Sequence, residues 1–68
     1  MKYTVVFEKA EGNFAAYVPD LPGCVAAGEM RDEVESLIKD AIALHLEALR
    51  EDGEPEPKPE AWAELIEA

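Results

Sequence analysis

The run Pro19-Asp20-Leu21-Pro22-Gly23-Cys24 constrains this chain more than any other six residues in it. Two prolines fix φ and remove backbone donors, so neither a helix interior nor a central strand can absorb the run. It lies between two short apolar segments, Phe14 to Val18 and Val25 to Ala27. The run therefore reads as a rigid junction between two strands, with Leu21 as its anchor.

The flanking sequence supplies those strands. Lys2 to Lys9 alternates in the strand sense, with Tyr3, Val5 and Phe7 on one face and Thr4, Val6 and Glu8 on the other. Glu11-Gly12-Asn13 is a turn signal, so Phe14 to Val18 completes a hairpin. Cys24 to Glu29 is a third strand of mostly small residues, and Ala26, Ala27 and Gly28 leave room for another element to approach closely.

That element is a helix from about Arg31 to Asp52. With Val34 at zero and 100° per residue, Leu37, Ile38, Ala41, Leu44, Ala48 and Leu49 fall within about 60° of one stripe centre. Leu46 lies at the stripe edge, and with Ile42 it extends the apolar surface towards a neighbouring subunit. Asp32 and Glu33 in the first turn and Arg50 near the end suit the helix dipole. Glu35 and Lys39 are spaced for an i,i+4 pair, and Gly53 is placed to stop the helix.

Beyond the helix, Gly53 to Glu60 carries three prolines among charged residues and favours an extended strap. Residues 61–68 have an Ala/Glu/Leu composition that favours a helical turn or two, provided that Trp62 docks.

Sixty-eight residues make a single domain with a thin core. One cysteine excludes an internal disulfide, and Cys24 and His45 alone cannot build a structural zinc site. Self-association is the remaining device for a chain of this size, so a dimer or larger assembly is expected. The formal charge is −10, from sixteen acidic and six basic residues. So few cations disfavour direct nucleic-acid binding, whereas the field would steer a basic protein. No signal peptide or apolar run long enough for a membrane span is seen, and a cytoplasmic protein is expected.

The chain resembles the antitoxin side of the HicA–HicB toxin–antitoxin systems. The carrying residues are Tyr3-Thr4-Val5-Val6-Phe7-Glu8, then Ala16-Tyr17-Val18-Pro19-Asp20-Leu21-Pro22-Gly23-Cys24, then Gly28 and the stretch from Ala41 to Pro55. The resemblance implies an α+β fold, a three-stranded antiparallel sheet packed on one long helix (β-β-β-α), often with a short fourth strand after the strap. This is the partial ribonuclease-H-like HicB domain. It also implies a protein that covers the active site of a small basic RNA-cleaving toxin. Where many members continue into a DNA-binding domain, this chain stops at Ala68, so one HicB-like domain over residues 1–68 is expected, without autorepression. Two departures bear on local structure. Met30 stands where the family places a capping Thr or Ser, and Glu56 stands where the strap usually carries an apolar residue.

The inventory disfavours an enzyme. Acidic surroundings oppose the lowered thiol pKa that a catalytic Cys24 would need, and His45 falls about 20° from Val34 on the helix wheel, pointing into the core. There it is expected to bond a backbone carbonyl, such as one in the Pro19–Cys24 junction. Glu8, Asp20 and Glu29 do not make the convergent carboxylates of a two-metal nuclease. No catalytic residue, cofactor or metal is expected. Asp20 is read as accepting N–H bonds within its own junction, or else contacting a partner. Asp20, Glu33, Asp40, Glu47 and Glu51 are the candidate partner-binding residues. The alternative function is an orphan self-assembling structural or ligand-sensing domain with no toxin.

Overall fold

The Pro19–Cys24 junction is built from two consecutive turns. In the computed structural model, which describes residues 1–68, the Leu21 N–H donates to the Val18 carbonyl at 3.1 Å and the Cys24 N–H to the Leu21 carbonyl at 3.0 Å. The Val18 N–H closes the unit by donating to the Cys24 carbonyl at 3.2 Å. Pro22 and Gly23, the latter at φ +86°, give the second turn type II geometry. Leu21, held between the turns, is completely buried. The junction is an anchor as well as a corner.

On its two sides run β2 (Asn13–Tyr17) and β3 (Val25–Gly28), and β1 (Val6–Ala10) precedes them. The sheet is antiparallel in the order β1-β2-β3, with Val6 opposite Tyr17 and Tyr17 opposite Val25. Gly12, at φ +83°, supplies the turn between Ala10 and Asn13. β1 begins at Val6 rather than at Lys2, as its alternation suggests. Continuing the register would set Thr4 opposite Pro19, which has no N–H to give, so pairing ends where the junction begins.

The helix α1 (Arg31–Glu51) crosses β2 and β3, and only the Arg31 side chain at its start approaches β1, over Phe7. Ala26 and Gly28 lie on the same sheet face as the buried Ala16, which allows the approach. Met30 starts the helix in extended geometry without a side-chain cap. Glu33 partly compensates, because its carboxylate accepts the Glu29 N–H at 3.2 Å. A Cβ on residue 28 would overlap that carboxylate, so glycine is needed there for Glu33 to reach back. At the other end Gly53, at φ +72°, donates to the Arg50 carbonyl at 3.1 Å and Glu54 to Leu49 at 2.9 Å. These two bonds are a Schellman stop.

The fully buried core is Ala16, Val18, Leu21, Cys24, Val34 and Ile38. Ala41, Ile42 and Leu46 pack against it, whereas Leu37, Leu44 and Ala48 are exposed. The buried stripe is therefore turned by roughly 60° from the one expected, towards Ile42 and Leu46. Those two serve this chain's own core rather than a neighbour. A 21-residue helix is about 31 Å long, and strands of four or five residues reach only about 17 Å. The second half of α1 overhangs the sheet, which leaves His45 and Leu49 only half-buried. His45 makes no side-chain hydrogen bond, so the expected carbonyl partner is not found.

Residues 54–68 form neither the short fourth strand nor the helical turn considered above. The helical turn depended on Trp62 docking, and Trp62 is exposed, so the segment has no packing partner to stabilise it. The strap is instead tied down by side chains. The Tyr3 hydroxyl donates to the Pro57 carbonyl and the Thr4 hydroxyl to the Ala61 carbonyl. Asp20 accepts the N–H groups of Glu60 and Ala61, both at 3.1 Å. Glu56 pairs with Arg50, which holds the strap against the end of α1.

Candidate functional site

Steps of four and three along α1 place Glu33, Leu37, Asp40, Leu44, Glu47 and Glu51 in one continuous row. All six are exposed, with Leu44 at 66 %. Asp40, Glu47 and Glu51 enter no ion pair, since the chain's salt bridges are Glu35–Lys39 and Arg50–Glu56. The row is thus an apolar ridge of two leucines between free carboxylates. It suits a protein surface with cations around an apolar centre, because charge steers the encounter and leucine burial holds the complex.

Four of the five candidate residues lie on this row. The fifth does not. Asp20 is half-buried, and its carboxylate is occupied by the tail amides of Glu60 and Ala61 rather than by donors of its own junction. Glu33 has a partial structural task through Glu29. Leu37 and Leu44 were assigned to the core on the sequence and belong to the row instead. The signal was present, since the same helical period runs through 33, 37, 40, 44, 47 and 51.

Cys24 is buried, and burial pushes its thiol up from the ordinary value of 9.0. The thiol packs among Ala16, Val18, Leu21, Val34 and Ile38. Two shallow surface depressions exist, one along Asp32, Glu35, Ser36 and Lys39 and one between Phe7, Phe14, Lys9 and Arg31. In the second, Lys9 stands 5.8 Å from the Phe14 ring centre and Arg31 6.0 Å from that of Phe7. These cations cover the part of the sheet that α1 leaves bare. No helix is long and apolar enough to cross a membrane.

Known proteins resemble this chain over nearly its whole length. The family described as the HicB-like antitoxin of bacterial toxin–antitoxin systems matches residues 3–68. The chain belongs to the HicB-like antitoxin family. Among its relatives is a UPF0150 protein of Thermoplasma acidophilum, 40 % identical over 62 residues that cover 90 % of each chain. An uncharacterised protein of Haemophilus phage HP1 is 40 % identical over 58 residues, 85 % of this chain and 44 % of the phage protein. Antitoxin HicB 2 of Photorhabdus laumondii is 33 % identical over 69 residues, 96 % of this chain and 50 % of that antitoxin. The HicB-like chain thus spans about half the length of the last two and nearly all of the first.

Proposed function

We propose that this HicB-like chain is a non-catalytic binding module that neutralises a small, basic, RNA-cleaving toxin of the HicA kind by covering its active site in the cytoplasm. The observation that carries the reading is the exposed row of Leu37 and Leu44 among Asp40, Glu47 and Glu51, on a chain of an antitoxin family. An acidic rim on a basic ligand raises the association rate, and the two leucines control dissociation. The module makes no direct contact with nucleic acid and works as a homo-oligomer.

The test pairs the purified protein with a purified small basic toxin of the HicA kind. The pair is expected to co-purify, and RNA cleavage should fall to background with this chain in excess. Leu44→Arg should weaken binding by at least about tenfold, the equivalent of about 1.4 kcal/mol. Asp40→Lys with Glu47→Lys should mainly slow association and flatten its dependence on salt. A toxin that stays fully active under saturating protein would refute occlusion.

A further inference from the structure

Trp62, Leu65 and Ile66 are the most conspicuous side chains without a role. Trp62 is 76 % exposed and Ile66 82 %, while Leu65 is fully exposed. The last bond that holds the tail backbone to the domain is at Ala61, and beyond it the chain runs free of its own core. The sheet has a matching deficit. Its face away from α1 carries Val6, Tyr17 and Val25 side by side across the three strands, with Ala15 and Ala27 beside them. No element of the chain covers that face.

The size of the deficit matches a second copy of the chain. A compact monomer of 7.5 kDa exposes about 4,200 Å², whereas this chain exposes 5443 Å². The excess of about 1,200 Å² is what one subunit removes in a large homodimer interface, where the two together bury 2,000 Å² or more. The Cα radius of gyration agrees, at 13.2 Å against about 11 Å for a compact chain of this length.

Charge excludes one receiving surface. The tail carries Glu60, Glu64 and Glu67, so the carboxylate row of α1 repels it. The outer sheet face offers one carboxylate within its strands, Glu8. The start of the arm is also suitably placed. Ala61 is bonded to Thr4, which continues the outward alternation of Val6 and Glu8, so the arm leaves the domain beside this face.

We infer that residues 62–68 are an exchange arm, which lies across the outer sheet face of a second copy while that copy's arm lies on this one. Trp62, Leu65 and Ile66 bury against Tyr17 and Val25 of the opposite chain. The assembly closes with two-fold symmetry, and both helix rows remain free for other partners.

Sedimentation equilibrium of the 68-residue chain at micromolar concentration tests this, with Trp62 fluorescence followed on dilution. The expected mass is about twice 7.5 kDa, with Trp62 emission shifting to the red as the dimer dissociates. Leu65→Glu and Val25→Glu should each raise the dissociation constant by at least about tenfold, with circular dichroism unchanged because both side chains are exposed. Leu44→Glu should leave the dimer intact. Mixing Leu65→Glu with Val25→Glu should restore part of the association, because the mixed pair keeps one unaltered arm on one unaltered face. A monomer throughout, a dimer insensitive to Leu65→Glu or Val25→Glu, disruption by Leu44→Glu, or no recovery on mixing would each overturn the exchange.

Discussion

The Asp20 carboxylate accepts the Ala61 N–H at 3.1 Å across 41 positions of sequence. Together with the Glu60 N–H it joins the most rigid segment of the chain to the segment with least structure of its own. The junction thereby becomes the fixed point from which the tail departs. Asp20→Ala should cost about 1–3 kcal/mol, the loss of charge-assisted bonds to two amides at a half-buried site. Hydrogen exchange should accelerate at Glu60 and Ala61 and remain slow in β2. Unchanged exchange at those two amides would show that the tail is held by other means.

Gly28 and Glu33 form a second coupled pair. Gly28→Ala forces the Glu33 carboxylate away from the Glu29 N–H. In a Glu33→Ala background the same glycine substitution has less to displace. Urea unfolding of both single variants and the double should show a coupling of about 0.5–1 kcal/mol. Additive losses would mean that Gly28 and Glu33 are not coupled.

Met30→Ser should stabilise the protein. The backbone at Met30 already has the extended geometry of a capping residue, at φ −122° and ψ 142°, and lacks only the side-chain acceptor. A gain of about 0.5–2 kcal/mol is expected from the urea midpoint.

Stability should fall at alkaline pH. The Cys24 thiol is raised above 9.0 by burial, and the Tyr3 phenol above 10.0 by desolvation and then by the Glu56 and Asp20 carboxylates. In both cases the folded state holds its proton more tightly than the unfolded chain does. The stabilisation is therefore fully present below the unfolded values and is lost as pH rises through the folded ones. Unfolding curves collected from pH 8 upward should show the decline, with a shallower slope in Cys24→Ala and in Tyr3→Phe. A thiol reagent should modify Cys24 at the rate of global or local opening, not at the rate of a free thiol.

The uneven legibility of the sequence follows from the range over which each signal acts. The turns at Gly12 and Gly23, the helix stop at Gly53 and the missing cap at Met30 were all readable, because φ preference and capping involve residues within about one turn of each other. The face of α1 was not, because two leucine registers compete on one helix. Ile42 and Leu46 lie inside while Leu37 and Leu44 remain outside. That choice depends on where the small side chains of Ala26 and Gly28 admit the helix, which is a property of the assembled sheet.

The sequence by itself determined the order of elements, their turns and the acidity of the exposed surface, since each depends on local backbone sterics or on composition. Only the tertiary structure decided that Asp20 serves the tail, that two leucines join the carboxylate row and that Trp62 lies free. Such outcomes depend on which distant groups are brought within contact distance. Short-range preferences do not encode them, and packing supplies them once the sheet and helix meet.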